Sequence, residues 1–327
     1  MKQFLFTIII LPFLLSGQTE DKKISSFSTP LIPDKKITAI ATDNTGLNWI
    51  GTLDGLICYN GKRWHIITSK NSKLPSDKVL SIKIVGNTKY IGTTEGLLVI
   101  NNKSWDVYTS KNSKLPSDKI RKIIKTKDNI LIATSKGLVK YSNDFEVIFS
   151  SDKNGIVDDD FISMNVDNNN VVWLGTNRGL YSFTNNMWRI YNTKNSDLPN
   201  NNIWDIVIDR EGKKWIATKR GIVTILDEQW VLFNKQNTPL KTNTIKSLVY
   251  DDYDQVWVGT DRGVVSFDGV DWKKHRISHK KTLVTSLFID DFDNKWVCTL
   301  KDIVVYNIDG VEFKSNISVQ NSVIVSK

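Results

Sequence analysis

The sequence has few of the residues on which enzyme active sites most often depend. Its 327 residues include 3 histidines, 2 cysteines and 3 methionines, and glutamate is scarce. His65, His275 and His279 form no cluster with metal-ligand spacing, and the sequence has no nucleophile-elbow serine and no glycine-rich phosphate loop. We therefore expect a protein without a metal or cofactor, and binding or sensing rather than catalysis.

The chain also lacks long apolar segments after its first residues. No later stretch reaches the roughly 18 consecutive apolar residues of a membrane-spanning helix, and no segment has a convincing helical period. Lys2, the short apolar run 4–15 and the small residues Ser16 and Gly17 are typical of a secretory signal. We expect cleavage after Gly17, which makes residues 18–327 a periplasmic or secreted protein without a membrane span.

Acidic residues are outnumbered by basic ones. Lysine and arginine total 44 against 35 for aspartate and glutamate, a formal net charge of +9. A basic protein favours acidic partners such as anionic glycans, and export argues against nucleic acid. The alternative is that lysine-rich turns only keep a protein with 11 tryptophans in solution.

A four-residue pattern, Trp-Ile-Gly-Thr, recurs along the chain. Variants of this tetrad occupy seven places: 49–52, 90–93, 131–134, 173–176, 215–218, 257–260 and 296–299. Successive tetrad threonines are 41, 41, 42, 42, 42 and 39 residues apart, which indicates tandem duplication. The third tetrad position holds only Gly, Ala or Cys, as expected where a neighbouring unit approaches the backbone closely.

Each repeat contains four predicted strands. They are short segments rich in β-branched and aromatic residues, separated by Gly, Asn and Asp. Four strands in a period of about 42 residues, repeated seven times, are typical of an all-β protein, a seven-bladed β-propeller of four-stranded antiparallel blades. A solenoid is the alternative, but it needs capping repeats and usually has shorter strand periods.

An aspartate precedes the tetrad by six residues in five repeats: Asp43, Asp167, Asp209, Asp251 and Asp290. We interpret it as a turn residue whose carboxylate accepts backbone N–H groups. The acidic stretches 251–254 and 290–293 do not continue into the glycine and distal glutamate that an EF-hand calcium loop requires. No metal site is predicted there.

These features together resemble the two-component regulator propeller repeat. The shared features are the Asp turn, the Trp-Ile-Gly-Thr tetrad, a glycine three residues after the tetrad threonine, and Leu-Pro-Ser-Asp at 74–77 and 115–118. The resemblance covers about residues 37–306 and implies a periplasmic sensor propeller of the kind found in hybrid two-component systems, with a sensor kinase as a partner. The second propeller, β-sandwich, membrane span and kinase of that family are missing, so we expect a free-standing propeller.

Two ways of closing the ring are open. Residues 23–28 align with an outer strand, and we expect them to complete blade seven, since completing a blade from both chain ends protects open edges. In the alternative, residues 311–314 are the outer strand. Closure places Cys58 and Cys298 on adjacent blades but on different strands. Blade faces lie about 10 Å apart and disulfide Cα atoms within about 7 Å, so we expect two buried thiols.

The candidate binding site is the face where the loops between second and third strands emerge beside the connections to the next blade. These loops carry acidic residues in blades one and two and basic residues in blades three to seven: Asp54, Glu95, Lys136, Arg178, Lys219, Arg220, Arg262 and Lys301. The bidentate geometry of arginine suits a carboxylate or sulfate. The alternative is a set of ordinary solvated turn charges.

We expect a non-catalytic, monomeric propeller that binds an anionic glycan fragment or an envelope protein. The alternative is a lyase or hydrolase acting on a polysaccharide or small molecule. Its carboxylates would come from a connection such as Asp158, Asp159 and Asp160, which we interpret instead as a solvated loop. A scaffold in an envelope complex is a third hypothesis, and it predicts a large apolar patch on one face.

Overall fold

The structure is a computed structural model that describes residues 36–60, 63–150, 160–275, 277, 283–290, 292–299, 303–307 and 310–314. In these residues the chain forms 28 β-strands, and it contains no helix long and apolar enough to cross a membrane. The predicted signal sequence 1–17 and the predicted strand 23–28 lie outside the described residues.

The strands follow one another in groups of four, and each group is one blade. Blades 1 and 2 contain β1 (Ile37–Thr42), β2 (Asn48–Thr52), β3 (Gly55–Tyr59), β4 (Trp64–Ile67), β5 (Val79–Val85), β6 (Thr88–Thr93), β7 (Leu97–Asn101) and β8 (Ser104–Tyr108). Blades 3 and 4 contain β9 (Ile120–Lys125), β10 (Ile130–Thr134), β11 (Gly137–Tyr141), β12 (Phe145–Ser150), β13 (Ser163–Val166), β14 (Val172–Gly175), β15 (Leu180–Thr184) and β16 (Met187–Tyr191). Blades 5 and 6 contain β17 (Ile203–Ile208), β18 (Lys214–Thr218), β19 (Gly221–Leu226), β20 (Gln229–Phe233), β21 (Ile245–Tyr250), β22 (Val256–Thr260), β23 (Gly263–Phe267) and β24 (Trp272–His275). Blade 7 contains β25 (Val284–Ile289), β26 (Lys295–Thr299), β27 (Ile303–Asn307) and β28 (Gly310–Lys314).

Each blade is a separate four-stranded sheet with its strands in sequence order. Neighbouring strands pair antiparallel, as β1, β2, β3 and β4 do in blade 1. The first strands of consecutive blades contact one another from β1 through to β25, and β25 contacts β1. The predicted seven-bladed β-propeller is therefore confirmed, with the first strand of every blade on the inside of the ring.

The small third residue of the tetrad lies against the next blade. A Cβ atom placed on Gly92 would lie 2.6 Å from Cγ2 of Ile120, the first residue of the next inner strand. At Gly175 the corresponding distance to Cγ2 of Ile203 is 2.5 Å. Only the smallest side chains fit at such a separation, which confirms the interpretation of this position.

The ring closes through side-chain packing between blades 1 and 7. Ile37, Ile50, Trp296 and Cys298 share one buried cluster, and the Ser286 hydroxyl donates a hydrogen bond of 3.3 Å to the Ile37 carbonyl. The fourth strand of blade 7 is β28, as in the alternative closure, because a strand adjacent in sequence pairs with little loss of chain entropy. The placement of residues 23–28 stays a prediction.

The predicted Asp turn is present, and its carboxylate also binds the tetrad tryptophan. Asp43 Oδ1 accepts the N–H groups of Thr45 and Leu47 at 3.0 and 3.2 Å, while Oδ2 accepts the indole N–H of Trp49 at 3.0 Å. The same indole bond, at 2.8 to 2.9 Å, recurs in the pairs Trp173–Asp167, Trp215–Asp209, Trp257–Asp251 and Trp296–Asp290. The turn therefore anchors the second strand as well as reversing the chain.

At three joints between blades, a lysine from the following blade completes what we call an Asp–Trp–Lys joint. The ion pairs, with Nζ to Oδ2 distances of 3.5, 3.2 and 3.1 Å, are Lys89–Asp43, Lys214–Asp167 and Lys295–Asp251. Each ammonium group also lies 5.3 to 5.7 Å from the centre of the tryptophan ring, within cation–π range. Burial alone raises the pKa of Asp167, but hydrogen bonds from Trp173 and Val171 and the contact with Lys214 hold that pKa below its usual value.

Cys58 and Cys298 are free, buried thiols, which confirms the expectation. Cys58 packs in the cluster between blades 1 and 2, whereas Cys298 packs in the cluster that closes the ring. Burial raises the pKa of each thiol to about 12.

Candidate ligand-binding face

The tetrad threonine builds the turn that carries the predicted site residues. In each of the first six blades its hydroxyl donates to the carbonyl of the glycine three residues later, at 2.7 to 3.0 Å. The same oxygen accepts the N–H of the residue two positions later, at 3.0 to 3.1 Å. The residues held in this way are six of the predicted ones: Asp54, Glu95, Lys136, Arg178, Arg220 and Arg262.

The glycine that ends this turn is required by its conformation and its surroundings. Gly179 has a φ of +145°, and a Cβ atom there would lie 2.4 Å from the carbonyl oxygen of Tyr191 in the outer strand. A side chain would therefore be strained and would collide with backbone. The turn is therefore a fixed frame, and its charged residue is exposed to solvent in each of the first six blades.

All the predicted site residues within the described part of the chain are exposed, and Lys301 lies outside it. Because the turns repeat once per blade, Asp54 and Glu95 occupy blades 1 and 2. The basic residues occupy the next four blades, with Lys219 and Arg220 adjacent in blade 5. The structure therefore places the predicted basic arc over four consecutive blades, opposite a short acidic arc.

The connections between blades lie on the same face as these turns. The Thr94 N–H donates to the Lys78 carbonyl at 3.1 Å, and the Thr94 and Ser76 hydroxyl oxygens are 2.9 Å apart. An equivalent hydroxyl pair, Ser117 and Ser135, is 2.7 Å apart in the next joint. We call this surface the turn face.

A polar cleft of about 590 Å³ opens on the turn face between blades 4 and 5. Its lining includes Arg220 and Asn177 from the turns and residues 198–202 from the connection. The carboxamide oxygens of Asn200 and Asn201 accept backbone N–H groups at 2.9 and 2.8 Å. The amide NH₂ group of each side chain remains to donate hydrogen bonds, so the cleft suits a ligand rich in hydrogen-bond acceptors.

The inner strands line a central channel of about 390 Å³. Lys246 Nζ lies 3.9 Å from the centre of the Trp204 ring. Beside them Asp205 accepts the Ser247 hydroxyl and the Leu248 N–H, both at 3.0 Å. Sequence reasoning missed Trp204 and Lys246, because this position of the inner strand has no consistent residue type from blade to blade.

Asp160 is held by cations rather than freely solvated, which corrects the expectation for this residue. It forms an ion pair with Arg121, and Lys119 Nζ lies 3.8 Å from its carboxylate. This ion pair joins blade 3 to the connection that leads into blade 4. Asp160, which we interpreted from the sequence as a solvated loop residue, is therefore part of the contact between the two blades. Asp158 and Asp159 lie outside the described residues.

The described histidines lie on outer strands, away from the channel. His65 is in β4 and His275 is in β24, where its ring stacks on Trp257 with centres 4.1 Å apart and Nε2 lies 2.8 Å from Ser266 Oγ. Burial lowers the pKa of His275 to about 4, with the positive charges of Lys273 and Lys295 adding to the effect. Among the described residues, no group of three or more His, Cys, Asp or Glu side chains could hold a metal ion.

No protein-family model matches the sequence, and no curated protein matches it significantly. Solved structures do share its fold. The extracellular domain of a putative hybrid two-component system from B. thetaiotaomicron superposes with a TM-score of 0.67 and 16% identity over 88% of this chain, which spans 40% of that domain. A catalytically inactive virginiamycin B lyase from Staphylococcus aureus with quinupristin gives 0.65 and 12%, covering 85% of this chain and 96% of the lyase. YCF48 from Cyanidioschyzon merolae gives 0.65 and 12%, covering 84% of this chain and 95% of YCF48.

TM-scores of 0.65 to 0.67 establish a shared fold at identities of only 12 to 16%, whereas function depends on the particular site. The same fold occurs in the extracellular domain of a putative hybrid two-component system and in a lyase. The resemblance to two-component sensor propellers, drawn first from the repeat, is confirmed at the level of the fold: the chain is a seven-bladed β-propeller of the kind found in the extracellular domain of a two-component system.

Proposed function

We propose that the protein is a non-catalytic, extracytoplasmic propeller that binds an anionic ligand on its turn face. The ligand class that fits is a glycan fragment carrying a carboxylate or sulfate. The observation that carries the proposal is the polar cleft between blades 4 and 5, where Arg220 stands beside the amide donors of Asn200 and Asn201. A guanidinium group and neutral amides together can satisfy both the charge and the lone pairs of such an anion.

The charges around the cleft support the same ligand. Lys219 and Arg178 are exposed on the turns of blades 5 and 4, while the exposed acids Asp54 and Glu95 are confined to blades 1 and 2. An anion is therefore attracted to one side of the face and repelled from the other, which also orients a ligand with charge at one end. The alternative, that these are only solvated turn charges, predicts no localised binding.

Catalysis receives less support from the described residues. The fold is compatible with it, since a lyase is among the solved structures that share the fold. In this chain, however, the described cleft and channel bring together arginine, lysine, asparagine and tryptophan with one carboxylate, Asp205, which already accepts hydrogen bonds from Ser247 and Leu248. The carboxylate of Asp160 is already bound to Arg121. A turnover assay with polysaccharides and small-molecule lyase substrates is expected to show no product.

Calorimetric titration with sulfated and uronic-acid-containing oligosaccharides tests the proposal. Arg220→Gln removes one cation from the cleft, and we expect an affinity loss of about tenfold or more, because charge-assisted hydrogen bonds are the strong ones. Arg63→Gln is the matched control, since Arg63 is also exposed but lies in the loop between β3 and β4, on the opposite face. Equal losses in both variants, or none in either, would refute a localised anion site.

An extracytoplasmic location and a link to a sensor kinase belong to the same proposal. They rest on the repeat and on the fold shared with an extracellular two-component domain. An envelope protein as the partner is the second candidate. If no anionic oligosaccharide raised the melting temperature while a pull-down from envelope extract recovered a stable protein complex through the turn face, the glycan would be the wrong ligand.

A further inference from the structure

A side groove lies between the outer halves of blades 4 and 5, at a position that an aromatic residue fills in most other blades. At a given position of the third strand, five blades carry an aromatic residue and two carry isoleucine: Tyr59, Tyr141, Phe183, Phe267 and Tyr306 against Ile100 and Ile225. The aromatic ring reaches across the joint to the preceding blade. Phe267, for example, has its centre 5.8 Å from that of Trp215 and 6.0 Å from that of Phe233.

At the joint between blades 4 and 5 this ring is missing, because the position holds Ile225. The rings that would have enclosed it remain. Trp173 and Tyr191 stack with centres 5.9 Å apart, and Trp230 lies 5.6 Å from Tyr191 at an angle of 55°. The result is a groove of about 810 Å³, within the usual range of about 300–1,000 Å³ for small-molecule sites. We call it the side groove.

The rim of the side groove contains hydrogen-bonding groups of both kinds. Arg189 and Asn169 supply donors, whereas Asp197, Asp227 and Glu228 supply carboxylate acceptors, and all five residues are exposed. The deeper charges cancel, because Lys214 is paired with Asp167. Three carboxylates against one guanidinium make the rim acidic in a chain whose net charge is +9. An anionic ligand is therefore disfavoured here, in contrast to the turn face.

We propose that the side groove binds a neutral saccharide. Trp173 is buried beneath Lys214, but the partly exposed rings of Tyr191 and Trp230 offer apolar surface that matches the C–H face of a pyranose. The mixed rim matches hydroxyl groups, which both donate and accept. Tyr191 and Trp230 are too close together for a sugar ring to enter between them, so the sugar lies across the groove and stacks on the rings from outside. This site is separate from the turn face and does not depend on the function proposed for it.

The decisive variant is Ile225→Phe, which restores the aromatic residue that five other blades carry and fills the side groove. The fold accommodates an aromatic ring at this position in those blades, so the variant is expected to remain folded. Saturation-transfer NMR with short neutral gluco-, xylo-, manno- and galacto-oligosaccharides is expected to detect binding to the wild-type protein. Ile225→Phe should weaken that binding by about tenfold or more. Ile100→Phe, the same change at the joint between blades 1 and 2, is the control and should leave it unchanged.

A surface variant keeps the test independent of the core. Glu228→Gln alters only an exposed rim carboxylate, and it should weaken saccharide binding measurably without changing the melting temperature. The proposal is overturned if no neutral oligosaccharide binds, or if binding persists in Ile225→Phe. It is also overturned if tetramethylammonium binds to the wild-type protein and not to Ile225→Phe while sugars bind to neither, because that result would assign the acidic, aromatic groove to a cation. None of these outcomes bears on Arg220→Gln and the anion site.

Discussion

Replacing the lysines of the three Asp–Trp–Lys joints by methionine tests whether these contacts hold the blades together. Methionine keeps most of the apolar stem, so the change removes mainly the charge. In the joint between blades 6 and 7, Lys295 is 9% exposed and lies 3.1 Å from Asp251, whose side chain is 2% exposed. Lys295 also pairs with Asp293. Lys295→Met therefore leaves a buried carboxylate without its cation.

The expected cost follows from what Asp251 retains. Removing one partner of a buried ion pair costs about 3–5 kcal/mol. Asp251 still accepts hydrogen bonds from the Trp257 indole at 2.8 Å and from the N–H groups of Tyr253 and Gln255 at 3.0 and 2.8 Å. These bonds continue to stabilise the charge, so we expect a loss of about 2–3 kcal/mol in the free energy of unfolding.

The other two joints provide a graded comparison within the same molecule. Lys214 is 14% exposed and lies 3.2 Å from its aspartate, while Lys89 is 16% exposed and lies 3.5 Å away. Greater exposure and distance both weaken an ion pair, so the loss should decrease from Lys295→Met to Lys214→Met to Lys89→Met. Urea unfolding followed by circular dichroism measures it, provided that the slope with denaturant is unchanged. Equal losses, or the largest loss at Lys89, would refute the reasoning.

Two further predictions concern titrating groups. The pKa of His275 is lowered to about 4 in the folded protein, so between pH 4 and about pH 6.5 the unfolded chain binds more protons than the folded protein does. The free energy of unfolding should therefore fall as the pH decreases through this range. His275→Phe should flatten the dependence of the urea midpoint on pH. Cys58 and Cys298, 1% and 2% exposed with pKa values raised to about 12, should resist a thiol reagent at pH 8 until the protein unfolds; rapid labelling of the folded protein would contradict their burial.

The fold could be predicted from the sequence because equivalent residues of the seven repeats lie in the same structural environment. A requirement common to every blade, such as the small residue that meets the next inner strand at Gly92 and Gly175, leaves a pattern that can be read without a structure. The predicted turn residues were located for the same reason. The tetrad threonine and the glycine three residues later recur in the first six blades, so the residue two positions after the threonine can be identified from the sequence.

Features that are not shared by every blade could not be found in this way. Trp204 and Lys246 meet because blades 5 and 6 are neighbours. They are 42 positions apart in the sequence, at a position of the repeat whose residue type varies from blade to blade. Asp160 looked like a loop charge until the ring placed it against Arg121. The side groove exists because Ile225 stands where five other blades have an aromatic residue. The importance of that difference becomes clear only when the structure shows that those aromatic residues fill the joint between blades.

The threonine-glycine turn has a consequence for how such a protein can change. Its hydrogen bonds use the threonine hydroxyl, the glycine carbonyl and one backbone N–H, and none of them involves the side chain of the residue in between. That side chain can be exchanged for an acid, a base or a neutral residue while the frame stays the same, as the six described turns already illustrate with two acids and four bases. Evolution can therefore change the charge pattern of the turn face by substitutions in one blade at a time, with little effect on the stability of the fold.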